Sequence, residues 1–252
     1  MHWIYLSPHF DDAVLSCGGM IWEQVQSGET VEIWTLCAGQ IPKGKPLTAF
    51  AEQKHRDWKV NLRVVNLRRA EDRAACALLG AAPRHWTLPD IIYRRLPNGE
   101  APVNDGADLW LPVHPGEMRL TQRLRTWLRR TLPPNAQLVC PLTLGNHTDH
   151  RLVRTAAESL RRPLYYYADY PYIANLYNPF PTGFSTTDLY TRAISPAGLA
   201  VWQNSTAAYE SQVDDLFGSM DAMREKIAAF WQNGGGSFLW RVDLGSPGIS
   251  VV

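Results

Sequence analysis

The chain has 252 residues, 45% hydrophobic and 19% charged, enough apolar material for one large globular domain. Its net charge of +1 gives no electrostatic case for a nucleic-acid or membrane-surface partner. No apolar run approaches the ~20 residues of a membrane span, and the opening MHWIYLS lacks a signal pattern, so a cytoplasmic protein without a membrane span is expected.

Trp3 to Leu6 is short, aromatic and β-branched, and stops at Ser7-Pro8; it reads as a buried strand. A helix is predicted to start near Asp12, with Asp12 as its N-cap and Val14, Leu15, Ile21 and Trp22 following. Within it Gly18-Gly19 predicts close packing of helix on sheet, because no GxGxxG accompanies the pair. Residues 31–37 form a second strand, parallel to the first. A Gly/Pro/Lys loop spans 38–47, and helices are predicted over about 48–59 and 67–79, the latter closed by Gly80. Residues 86–88 are a candidate strand and 96–108 are turn-rich.

Leu120, Leu124, Trp127 and Leu128 lie at helical spacing before Pro133-Pro134. Strands follow at 138–141 and 164–167, with a helix between them carrying Val153, Ala156, Ala157 and Leu160 on one face. Residues 170–204, rich in Pro, Tyr and Asn, read as irregular surface; a long helix over 205–231 and a strand over 237–243 close the chain. Arg is dense at 119–130 and 151–162, where a solvated helix face is favoured over a phosphate-binding surface. Cys17, Cys37, Cys76 and Cys140 lack CxxC spacing and are expected as buried free thiols. With no repeat and no linker, alternating strands and helices imply a single α/β domain over 1–252. Its sheet should be largely parallel, with helices on both faces.

Two segments carry chemistry: His9-Phe10-Asp11-Asp12 and His147-Thr148-Asp149-His150. Each follows a predicted buried strand and precedes a helix, the place where open α/β sheets bind ligands. Clustered aspartates repel one another, and persist if they are solvated, protonated or neutralised by a cation. Imidazole with carboxylate suits zinc, or another divalent transition metal, and two His with one Asp leave a position for water.

The run LSPHFDDAVLSCGG resembles the Ala/Pro-His-Pro-Asp-Asp-Glu signature of the PIG-L/LmbE-like de-N-acetylases, and GNHTDHRLV resembles their second, His-x-Asp-His, signature. Weaker similarity runs through Arg68-x-x-Glu71, Leu88-Pro89-Asp90, Tyr166 to Tyr172 and Tyr209 to Gln212. The resemblance implies a Rossmann-like fold and a zinc-dependent hydrolase that removes an acetyl or similar acyl group from an N-acetylated amino sugar or glycoconjugate. It further implies His9, Asp12 and His150 as metal ligands, with Asp11 as the base that deprotonates the attacking water. His147 would be protonated, stabilise the oxyanion or protonate the leaving amine, and be oriented by Asp149; Arg68 and Asp90 would contact substrate. Phe10 replaces the usual Pro, Ala13 the frequent Glu, and Ala168 stands where an acidic residue is common, leaving Asp169 without an assigned role. Loops 38–50 and 170–204, with Tyr170 and Tyr172, are candidates for the pocket wall. His2, His55, His85 and His114 receive no function. An amidase for a non-sugar amide and a catalytically idle sugar-binding module are the alternatives, and a homo-oligomer is left open.

Overall fold

The structure, a computed structural model, describes residues 1–175 and 189–243. Its strands are β1 (His2–Ser7), β2 (Thr30–Thr35), β3 (Ala82–His85), β4 (Gln137–Pro141), β5 (Pro163–Tyr167), β6 (Leu189–Thr191) and β7 (Phe238–Asp243). They form one sheet in the order β3-β2-β1-β4-β5-β7-β6. The first five are parallel; β7 runs antiparallel to β5, and β6 antiparallel to β7. The chain reverses its direction of travel across the sheet between β1 and β4, and the crevice beyond their carboxyl ends is where such sheets bind ligands.

The helices are α1 (Asp12–Gln26), α2 (Ala49–Asp57), α3 (Val64–Leu79), α4 (Met118–Thr131), α5 (Thr148–Glu158), α6 (Pro196–Ala207), α7 (Glu210–Phe217) and α8 (Met220–Gln232). Alternation along the central strands divides the core between two faces. Ile4, Leu6, Leu138 and Cys140 pack with Leu124 and Leu128 of α4 and Leu152, Val153 and Ala156 of α5. Trp3, Tyr5 and Val139 pack with Val14, Cys17 and Ile21 of α1 and Ala75, Cys76 and Leu79 of α3. The α/β fold with helices on both faces therefore stands, and all four cysteines are free and buried.

Three elements differ from expectation. The edge strand β3 lies at Ala82–His85, four residues earlier, and is mostly exposed. The apolar run that suggested a strand instead turns away after Trp86, whose N–H still reaches Thr35 O at 2.8 Å. The predicted long helix over 205–231 is three helices, broken at Tyr209 and at Gly218, whose φ is +87°, with Ser219 capping α8 through Ala222 N–H. The stretch read as irregular holds β6 and the start of α6, capped by Ser195; residues 176–188 of it lie outside the described residues.

Gly18 and Gly19 pack α1 on α6 rather than on the sheet. A Cβ on Gly18 would lie 2.4 Å from Trp202 Cδ1, and Trp202 Nε1 donates to Val14 O at 2.7 Å. Gly18→Leu is expected to cost about 1–3 kcal/mol by overpacking, read as a lower urea midpoint; an unchanged midpoint would show this helix contact to be loose.

Candidate active site

Residues from three strand ends meet at one edge of the sheet. His9, Asp11 and Asp12 follow β1, His147, Asp149 and His150 follow β4, and Asp169 follows β5. Asp12 is not the N-cap of α1 but its first residue, and the N-cap position, Asp11, makes no side-chain capping bond. Ser7 Oγ takes the capping role by accepting from Ala13 N–H at 3.0 Å. Both carboxylates are thereby released into the site.

Asp12 is the meeting point. Its Oδ2 accepts from His9 N–H at 2.7 Å and lies 3.2 Å from His9 Nδ1 and 3.3 Å from His150 Nε2. Ligand atoms on a tetrahedral ion, each 2.0–2.1 Å from it, sit about 3.4 Å apart, which these spacings match. Each imidazole is backed by a second carboxylate. His9 Nε2 donates to Asp149 Oδ2 at 3.2 Å, and His150 Nδ1 donates to Asp169 Oδ1 at 2.6 Å. His150 Nε2 is buried without a hydrogen bond. This is the outer support that metal-binding histidines commonly carry, so the donor set fits a divalent cation.

The local electrostatics agree. Burial by itself would lower the His150 pKa, yet Asp12 and Asp169 raise it to about 9. Burial is likewise overridden at His9, where Asp90, Asp12 and Asp149 push it well above the ordinary value. Asp12 is held well below the carboxylate range against its burial, by His150 and His9. Positive charge is stabilised here, whether carried by protons or by a cation.

His147 behaves differently. It is the N-cap of α5, and its Nδ1 accepts from Asp149 N–H at 3.1 Å. Burial, then the neighbouring His9 and His150, lower its pKa well below the ordinary value. In a neutral ring with Nδ1 accepting, the proton sits on Nε2, which makes His147 an N–H donor; a protonated ring was expected from sequence. Its nitrogens still lie within 4.8 Å of those offered by His9 and His150. The Asp149 carboxylate meets His9, Ile91 N–H at 3.1 Å and Arg94 NH2 at 2.6 Å; it is the backbone of Asp149 that orients His147. A second donor set of His9, Cys37 and Asp149 lies on the far side of His9. Arg94 already neutralises Asp149 there, and burial pushes the Cys37 thiol up.

Arg68, buried on α3, pairs with Asp11 Oδ1 at 3.4 Å. Its guanidinium carbon lies 5.4 Å from the Phe10 ring centre and 5.3 Å from that of Trp58. Phe10, the departure from the signature, thus braces the cation beside Asp11. Burial raises the Asp11 pKa, and Arg68 offsets only part of this. Asp90 caps the turn at Ile91–Tyr93 through Ile92 N–H and lies 3.8 Å from His9 Nε2.

A cleft of about 370 Å³ opens over these groups, within the range of small-molecule sites. Phe50, Trp58, Trp110 and Tyr172 line it with Arg68 and Asp90. Tyr172 is in the wall as expected, whereas Tyr170 is buried, stacked on Phe230 at 4.4 Å. Sequence reasoning missed Trp58, Trp110, Arg94 and Glu117, and left Asp169 open. Only Asp169 carried a signal, its place after a predicted strand at this same edge.

A family model described as GlcNAc-PI de-N-acetylase, PIG-L, matches residues 4–160. The chain belongs to the PIG-L family. A 2'-N-acetylparomamine deacetylase of Niallia circulans is 24% identical over 262 residues, covering 95% of this chain and 93% of that protein. A teicoplanin deacetylase solved in a zinc-inhibited form is 26% identical with a TM-score of 0.77, covering 96% of this chain and 97% of that one. A deacetylase–teicoplanin complex gives 26% and 0.75 with the same coverage. The PIG-L resemblance, the Rossmann-like fold and hydrolytic N-deacetylation, all expected from the sequence, are supported together.

Arg94 is buried between Asp149 and Glu117, meeting the latter through Nε at 2.6 Å. Arg94→Met leaves two buried carboxylates without their cation. Unfolding in urea should show a loss of about 3–5 kcal/mol, and a loss under 1 kcal/mol would mean that solvent reaches the pair.

Proposed function

We infer that the protein is a zinc-dependent hydrolase that cleaves the acetamide of an N-acetylated amino sugar or glycoconjugate, with His9, Asp12 and His150 holding the ion. The observation that carries this is the Asp12 carboxylate set between two imidazoles, each fixed from behind by a carboxylate. Bound there, a divalent ion supplies Lewis acidity, acidifying water and polarising an acyl oxygen.

Asp11 is the general base: burial raises its pKa above the ordinary carboxylate value, which strengthens it as a proton acceptor, and Arg68 fixes its orientation. It takes a proton from water as the oxygen adds to the acyl carbon. His147 Nε2–H, fixed as a donor by the backbone of Asp149, hydrogen-bonds the developing oxyanion. Asp11 returns its proton to the nitrogen as the C–N bond breaks, releasing acetate and a free amine. Asp149 supports His9, and Asp169 supports His150. The aromatic wall of Trp58, Trp110 and Tyr172 offers faces for a sugar or its aglycone, with Arg68 and Asp90 at its polar floor. The intact Asp11 carboxylate, buried beside the cation site and paired with Arg68, argues against an idle binding module.

Metal analysis of purified protein should find about one divalent ion per chain, lost in His150→Ala. Asp11→Asn should keep the ion but lower acetate release from N-acetylated amino sugars by about 10²–10⁴-fold; normal turnover in that variant would remove Asp11 as the base. Asp169 accepts from both His150 Nδ1 and Leu144 N–H, the latter at 3.1 Å, which an amide cannot do at the second oxygen. Asp169→Asn should weaken the ion by about 10–100-fold in chelator competition.

A further inference from the structure

Beside the segment that carries Asp90, two concavities outside the cleft share Trp86 and Arg123. One, about 330 Å³, lies between the loops at 42–45 and 86–95 and α4. The other is a more open groove along α4. Lys43, Lys45, Arg95, Arg119, Arg123 and Arg130 line them, and among the described residues no aspartate or glutamate does. Among the described residues none of these six cations makes an ion pair, and Arg95 donates to the carbonyls of Arg94 and Pro46.

Such a gathering is unfavourable on its own. Arg119 and Arg123 stand one turn apart on α4, where like charges destabilise a helix. The free guanidinium and ammonium groups converge on a concave space rather than a flat surface, and guanidinium matches phosphoryl oxygens two at a time. The wall between them is apolar and flat. Trp86 stacks on Trp127 with ring centres 5.3 Å apart and planes 29° apart, and Arg84 lies over the Trp127 ring at 5.3 Å. Leu88, Pro89 and Leu120 complete the wall. The pocket also reaches Arg94, whose guanidinium holds Asp149 in the catalytic centre.

We propose that this pocket is a second binding site, for a small molecule bearing phosphoryl groups on a planar or sugar-like body, of the nucleoside diphosphate class. Lys43, Lys45, Arg95 and Arg123 take the phosphoryl oxygens, and Trp86 takes the flat body. Its small, concave form favours such a ligand over a nucleic-acid strand, which needs an extended track of contacts. Through Arg94 the occupant borders the support of His9.

The test is calorimetric titration of the metal-loaded full chain with uridine diphosphate and with inorganic pyrophosphate; Lys45 and Arg123 lie outside the catalytic cleft, so their variants separate this pocket from phosphate bound at the catalytic ion. Saturable one-to-one binding is expected for both, weakened at least about tenfold in Lys45→Glu and in Arg123→Glu, in line with the loss of a charge-assisted contact. Both variants change exposed side chains and should deacetylate as the parent does, so the result is independent of the catalytic reading. Trp86→Leu should weaken uridine diphosphate several-fold and leave pyrophosphate unchanged. Undiminished binding in the charge-reversal variants, or no saturable binding at low salt, would overturn the proposal. So would a single-stranded oligonucleotide that binds far more tightly than uridine diphosphate.

Discussion

The Asp12 carboxylate joins the two halves of the site, and the rest of the centre is arranged around the cost of burying it. Asp11, Asp12, Asp149, Asp169 and Glu117 are all buried, and the buried guanidiniums near them are Arg68 and Arg94. Two cations do not neutralise five carboxylates, and a buried ionic cluster of this kind is a poor source of stability. The remaining charge falls to His9 and His150, or to a cation between them. A cluster that weakens the fold unless positive charge is supplied is what a cation-dependent centre requires. The same cluster would be hard to account for as packing alone.

The sheet brings this about through topology rather than local sequence. The segments after β1 and β4 are adjacent because those strands pair, with Trp3 opposite Gln137 and Tyr5 opposite Val139. The segment after β5 is adjacent because β5 pairs with β4. That arrangement was legible: apolar runs marked the strands, and the switch-point rule placed both His-containing motifs on one edge. What was not legible depended on contacts across the fold. Nothing around Arg94 distinguishes it from its neighbour Arg95, yet one is buried between Asp149 and Glu117 and the other holds backbone carbonyls of a surface loop. The tautomer of a neutral His147 likewise follows from a backbone N–H two residues on. The breaks in the last helices were missed because the apolar positions keep a nearly continuous helical rhythm through Gly218.

The departures from the family signature find local explanations. Phe10 fills the space beside Arg68 and packs at 5.3 Å against His85, which in turn meets Asp72 at 2.7 Å. The ring therefore connects the Arg68–Asp11 pair to a buried polar cluster that also includes Tyr209, whose OH donates to Asp72 at 2.7 Å. Ala13 is fully buried, and its N–H donates to Ser7 Oγ. Ala168 lacks the acidic group common at its place, but Asp169, one residue on, holds His150 and ties down Leu144. The carboxylate behind the second histidine is kept, supplied from the neighbouring position.

Chemistry and selectivity then rest on different parts of the chain. The reacting groups sit on strand ends and helix starts, held by buried ion pairs and hydrogen bonds that leave little freedom. The wall of the cleft comes from α2, the segment around Trp110, and α7. Lys54 of α2 meets Asp215 of α7 at 3.3 Å, Trp58 Nε1 donates to the same carboxylate at 3.0 Å, and Lys59 meets Asp214 at 3.2 Å. These partners are exposed or half-buried, so each pair is worth little to stability. Their geometry can therefore drift without loss of the fold. Trp58 belongs to both sets: its indole N–H is tied to the rim, and its ring braces Arg68 against Asp11. A change in the rim has, in that residue, a short mechanical route to Arg68 and through it to Asp11.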